Sequence, residues 1–95
     1  MNNFFFEQIT PNEIDMALSG RVRAIRKRRK MSQKELSERS GVSLGSVKRF
    51  ESAGLISLTG LTKIAIALEI EQELRDLFTD VPYKSIEELL NDKNR

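Results

Sequence analysis

The side chains best placed to do chemistry fall in two short runs, Ser32-Gln33-Lys34 and Ser43-Leu44-Gly45-Ser46-Val47-Lys48-Arg49. Hydroxyls, a carboxamide, an ammonium and a guanidinium donate hydrogen bonds and carry positive charge. Together they suit the binding of anions and the reading of hydrogen-bonding edges, rather than the making of covalent bonds. The chain has no histidine and no cysteine. It therefore offers no thiol nucleophile, no imidazole base and none of the usual soft zinc ligands. Its carboxylates lie mostly in the second half at solvent-facing spacings, with no glycine-rich phosphate loop or nucleophile signature among them. The expectation is a binding protein with no metal, no cofactor and no catalytic residue.

Both runs need a helix to hold them. "SQKE", Ser32 to Glu35, is a capping box, so Ser32, Gln33 and Lys34 cluster at a helix N-terminus, where free amides and the dipole attract a phosphate. That helix runs to about Ser40 and ends at Gly41, where a sharp turn calls for positive φ. A further helix follows Ser43 and ends at "SAG", Ser52 to Gly54. Leu36, Val42, Val47 and Phe50 are apolar at inward spacing and are expected to lock the two helices together. The outward face then carries Ser43, Ser46, Lys48 and Arg49. The planar fork of Arg49 suits guanine O6 and N7, and Leu44 suits a thymine methyl. Gly45 lets the helix backbone approach a duplex closely, at a propensity cost of about 1 kcal/mol.

Charge supports a polyanionic partner. The net charge is only +2, yet residues 20–50 hold eleven bases and two acids, while residues 1–19 and 51–95 carry −3 and −4. A basic block between acidic flanks is an electrostatic footprint for nucleic acid. Within it, "RKRRK" (Arg26 to Lys30) suits the C-terminal end of a helix dipole. No apolar run approaches a membrane span and no secretory signal is recognisable, so a cytoplasmic protein is expected, which the lack of cysteine also fits.

Around this centre the chain reads as helices. "ITPNEI" gives a capping box at Thr10 with Pro11 at the first helical position, and Ile9 and Ile14 stand where a hydrophobic staple would sit. Ile14, Leu18, Val22 and Ile25 form a stripe for a helix over about 11–29, with a possible break at Gly20. A fourth helix opens at Ser57 with Leu58, Leu61, Ile64, Ala65 and Leu68 on one face. A fifth covers about 71–78, and a capping box at Ser85 starts a tail helix running to about Asn91. The fold class is all-α: a compact five-helix domain with a short N-terminal extension and a C-terminal tail helix.

Read whole, "SQKELSERSGVSLGSVKRFESAG" resembles the DNA-binding domains of the phage-repressor family of Cro- and cI-like regulators. The likeness covers about residues 17–79. It leaves 1–16 as an extension with the start of helix 1, and 80–95 as the tail. Its elements occur in order: the basic first helix, "SQKEL", "GVS" in the turn, "VKRFE", and "GLTKIAIALEI" for the fourth helix. Ser37 departs from the family's usual alanine but is small enough for the same packing.

The resemblance implies a sequence-specific double-stranded DNA-binding regulator whose recognition helix spans about 43–52. It implies that Gln33 contacts the DNA backbone and that Arg26 and Glu51 bridge helix 1 to the end of helix 3. It implies a twofold dimer with recognition helices about 34 Å apart. The dimer surface is expected in helix 5 and the tail (Leu74, Leu77, Phe78, Tyr83, Ile86, Leu89, Leu90) or in Phe4, Phe5 and Phe6, rather than in the basic segment. The alternative is an antitoxin that binds its operator and also neutralises a protein toxin, which is kinase-like in some family members.

Overall fold

The computed structural model describes residues 9–80 and 86–93. The expectations placed on Phe4, Phe5, Phe6, Tyr83 and Ser85, and on the side chain of Ile86, lie outside the described residues. Among the described residues six helices follow in order: α1 (Pro11–Arg28), α2 (Gln33–Ser40), α3 (Leu44–Ala53), α4 (Leu58–Ala67), α5 (Glu71–Arg75) and α6 (Ile86–Lys93). No strand occurs among the described residues.

The first four helices start by one device. Thr10, Ser32, Ser43 and Ser57 each hold an extended backbone, and each side chain accepts the amide three residues on, from Glu13, Glu35, Ser46 and Gly60. Each cap satisfies an otherwise orphaned donor, worth about 1 kcal/mol. α2 and α3 end on Gly41 and Gly54, both left-handed, with φ of 78° and 73°. A non-glycine residue reaches that region only at a steric cost. The α2–α3 turn is tied further by two serines. Ser37 Oγ donates to the Val42 carbonyl at 2.6 Å, and Val42 N–H donates to Ser40 Oγ at 3.1 Å.

α1 packs on α3, α2 on α3 and α4, and α4 on α5. Between them lies a core of Val22, Met31, Leu36, Val42, Val47, Phe50, Ile64 and Leu68, with Leu18, Ile25, Ile56, Leu61, Ala67 and Ile70 around it. Burying each large apolar side chain stabilises the fold by about 1.5–3 kcal/mol. Ser19, fully buried on α1, returns its hydroxyl to the Met16 carbonyl at 3.1 Å and leaves no open polar group at the helix contact.

α1 runs through Gly20 as one unbroken helix. Three details differ from the sequence expectations. Ile9 and Ile14 are both exposed, and the α1 stripe is covered only from Leu18 onward. Leu58, expected on the buried face of α4, is 77% exposed. It occupies the first turn, where it edges an open recess of about 290 Å³ shared with Asp15, Leu18 and Leu55. α5 stops at Arg75, and the chain turns over Asp76–Thr79, with the Thr79 hydroxyl bonded to the Asp76 carbonyl and Phe78 at φ 63°. A β-unbranched aromatic in the left-handed region cannot continue a right-handed helix.

The glycines separate backbone need from space. A Cβ at Gly54 would stand 3.0 Å from Asp15 Cβ and 3.1 Å from its carbonyl carbon, whereas one at Gly41 or Gly20 meets nothing within 4 Å. Gly54→Ala is expected to destabilise by about 2–3 kcal/mol and Gly41→Ala by about 1 kcal/mol, since both strain φ but only Gly54 is also crowded, by the Asp15 backbone. Gly20→Ala, at an open helix-interior position, is expected to stabilise by up to about 1 kcal/mol. Urea denaturation of the three variants checks the order.

Candidate nucleic-acid interface

The site is assembled around one buried ion pair. Arg26 projects from α1 and Glu51 from α3, with side chains 8% and 3% exposed. Arg26 Nε and Nη2 donate to the two carboxylate oxygens of Glu51 at 2.7 and 2.8 Å, the paired fork geometry that makes such bonds strong. The remaining Nη1 donates to the Met31 carbonyl at 2.6 Å, in the α1–α2 connection. Gln33, the first residue of α2, donates from Nε2 to Glu51 Oε1 at 2.9 Å. Arg23 stands at 3.8 Å from the same oxygen. Two side chains thus join three helices and the loop between two of them.

Burial alone pushes the Glu51 carboxyl up. The hydrogen bonds from Arg26 and Gln33, and the charges of Arg26 and Arg23, outweigh it and hold the group below its ordinary value of 4.5. Arg26 is raised, chiefly by its hydrogen bond to Glu51.

This clamp fixes which side of α3 looks outward. Val47, Phe50 and Glu51 are buried, while Gly45, Lys48 and Arg49 are exposed at i, i+3, i+4 spacing on the opposite side. Leu44 is half-buried at the start of the helix. Ser43 and Ser46 are exposed but engage each other: Ser43 Oγ donates to Ser46 Oγ at 2.8 Å and accepts the Ser46 amide at 3.1 Å. Their hydroxyls are therefore partly used in ending the turn. Lys48 and Arg49 remain as the extended polar groups of that face.

At the α2 start, Ser32 and Lys34 are exposed, and Ser32 caps Glu35 at 3.0 Å. Gln33 is half-buried with its amide group turned inward to Glu51. Arg49 also edges an open recess of about 400 Å³, whose walls include Ser46, Leu55, Ser57 and Gly60. That recess brings the start of α4 beside the outward face of α3, a neighbour that linear spacing did not reveal. The Ser37 bond to Val42 was likewise unforeseen, because serine was read only for its size.

A helix-turn-helix family model matches residues 22–71, just over half of the chain. The chain belongs to this family, in its Cro/cI-type branch of DNA-binding regulators. Comparison with curated proteins and with solved structures finds no match. Among the described residues, no single helix is long and apolar enough to cross a membrane, and no group of carboxylates could hold a metal ion.

The ion pair makes a pH prediction. The lowered value of Glu51 means its contribution is complete above 4.5 and is lost as pH falls through the folded value. The raised value of Arg26 means its contribution is complete throughout the range below the ordinary guanidinium value and is lost only at still higher pH. With no histidine to titrate, stability is expected to be flat from about pH 5.5 to 8 and to fall below about 4.5. Arg26→Ala, which strands a buried carboxylate, is expected to cost about 3–5 kcal/mol at pH 7. Glu51→Gln is expected to flatten the acid limb. Denaturant midpoints across pH check both variants.

Proposed function

We propose that this chain is a sequence-specific double-stranded DNA-binding transcriptional regulator that acts as a dimer and represses. The observation that supports this most is the outward face of α3. Gly45, Lys48 and Arg49 share one side of a helix whose angle is held by the Arg26–Glu51 clamp. In this reading residues 17–79 form the DNA-binding unit, flanked by the 1–16 extension and the 80–95 tail.

α3 enters the major groove. Arg49 reads a guanine edge through O6 and N7, Leu44 meets a thymine methyl, and Gly45 permits close approach of the backbone. Lys48 adds charge. Ser43 and Ser46 reach a base or phosphate only with the hydrogen-bonding capacity left after their mutual bond. Ser32 and Lys34 meet a phosphate at the α2 N-terminus, where amides and dipole favour an anion. Gln33 contributes mainly by fixing Glu51, and reaches the DNA backbone through what its amide has left over. So sparse a reading surface makes dimerisation the main source of discrimination, with two half-sites one helical turn apart. A second reading, an antitoxin that also neutralises a protein toxin, draws support from Phe78. This aromatic is 83% exposed beside exposed Leu77, on an element that supplies none of the proposed DNA contacts.

Arg49→Ala is expected to weaken binding to the preferred duplex by about 1–3 kcal/mol and relax selectivity at one base pair per half-site. An equal loss on preferred and random duplexes would reassign Arg49 to the phosphates. With about six phosphate contacts per dimer, affinity is expected to fall about 10³-fold between 50 and 200 mM salt. Fluorescence anisotropy over that range measures it, and a flat response would rule out the nucleic-acid reading.

A further inference from the structure

One oxygen of the buried clamp faces three donors. Glu51 Oε1 accepts from Arg26 Nη2 at 2.8 Å and from Gln33 Nε2 at 2.9 Å. Arg23 Nε stands 3.8 Å from the same atom, beyond hydrogen-bonding distance, and its side chain is 52% exposed against 8% for Arg26. Arg26 already meets the single charge of Glu51 with both arms of its fork. The Arg23 guanidinium is held at the rim of the clamp by attraction alone, with no hydrogen bond to any described residue. Its charge is left over.

Helix periodicity singles this arginine out. At about 100° per residue, Arg26 lies roughly 60° around α1 from Arg23, whereas Arg21 and Arg28 lie roughly 160° and 140° away. Lys27, also exposed, follows Arg23 by one turn, so two like charges adjoin on this side of α1 and repel each other modestly. Across the clamp, exposed Lys48 precedes Glu51 by about one turn of α3. Arg23, against Glu51, thus stands beside the flank of α3 that Lys48 occupies and beside Gln33 at the start of α2.

A half-exposed contact to a carboxylate that is already paired is weak, because solvent and salt screen it. It restricts where the guanidinium points without withholding it from a better anion. A phosphodiester is such an anion. It carries a full charge on two open oxygens, which the planar guanidinium meets through parallel hydrogen bonds. Gln33 is less suited: it is uncharged, and its amide nitrogen is engaged with Glu51.

We infer that Arg23 is the α1 residue that grips the DNA backbone, taking one phosphate in each half-site while Arg26 and Gln33 hold Glu51 in place behind it. Glu51 then has two tasks. It locks α1 to α3 through Arg26, and it aims Arg23 at the duplex. The inference rests on the DNA-binding reading above and extends the contact surface from α2 and α3 to α1.

Anisotropy with the full-length chain tests it, using the preferred duplex, random duplexes, and preferred duplexes carrying one neutral methylphosphonate linkage at a time. Arg23→Ala is expected to weaken binding about tenfold on preferred and random duplexes alike, and to lower the slope of log affinity against log salt by about 1.8 per dimer. Arg23→Lys, which keeps the charge and loses the fork, is expected to keep the wild-type slope and recover part of the affinity. Arg21→Ala, on the other side of α1, is expected to lower the slope by less than about half as much. In the linkage scan, one position per half-site is expected to weaken the wild-type chain about fivefold or more and Arg23→Ala less than about twofold, a coupling that a merely structural residue does not produce. Wild-type affinity and slope in Arg23→Ala would overturn the inference. So would a loss felt equally at every linkage together with a lower urea midpoint, which would make Arg23 a support of the clamp. A wild-type chain whose duplex affinity ignores salt would remove the DNA-binding reading and this inference with it.

Discussion

The bidentate contact between Arg26 and Glu51 is the constraint on which the rest of the arrangement depends. Drawing a guanidinium and a carboxylate out of water is costly, and a bare pair of this kind need not stabilise a fold at all. Here the remaining hydrogen-bonding capacity is used. Met31 takes the third guanidinium nitrogen, and Gln33 adds a donor to the carboxylate. The pair therefore carries direction as well as attraction. An apolar contact could hold α1 against α3 over a range of rotations, but a two-point fork with fixed partners in the α1–α2 loop and at the α2 start selects one. Phe50 and Val47, fully packed beside Glu51, then have a single way to fill the core, and Lys48 and Arg49 a single way to face out.

The same economy appears in the division of charge. A chain of net charge +2 can attract a polyanion only if its positive charge is concentrated. The basic block does this in sequence, and helix periodicity then splits it in space. Arg23 and Arg26 serve the clamp, while Lys48 and Arg49 stand free on α3. Arg21 and Arg28 lie on the far side of α1, where a solvated face or a partner must satisfy them. One helix thus supplies both a structural tie and a second, separate surface.

Much of this was legible in the sequence because it was written in local chemistry. Caps at Thr10, Ser32, Ser43 and Ser57 set four helix starts, and the glycines at 41 and 54 set two ends, since each depends on residues within one turn. The buried set Leu36, Val42, Val47 and Phe50 followed from periodicity. The Arg26–Glu51 contact did not: the residues are 25 positions apart, and only the family resemblance joined them. Nor could spacing show that the Gln33 amide points inward, that Ser43 and Ser46 bond to each other, or that Ser37 ties the turn through Val42. Each depends on where a rotatable polar group finds its nearest partner in three dimensions. The end of α5 was missed for a related reason. Leu77 and Phe78 continue an apolar pattern, but the chain turns at Asp76 and leaves both exposed, so pattern without a packing partner overstated the helix.

The proposed function makes α3 the recognition element, and the clamp makes its outward face a fixed one. Selection of bound sequences from a random duplex pool, using the full-length chain at moderate salt, tests that account most directly. The predicted result is an enriched inverted repeat with half-site centres about 10 base pairs apart and few strongly fixed positions in each half, including a guanine assigned to Arg49. A pool that stays unenriched while binding is tight, or an enriched motif unaffected by substitution at Leu44, Lys48 and Arg49, would contradict it.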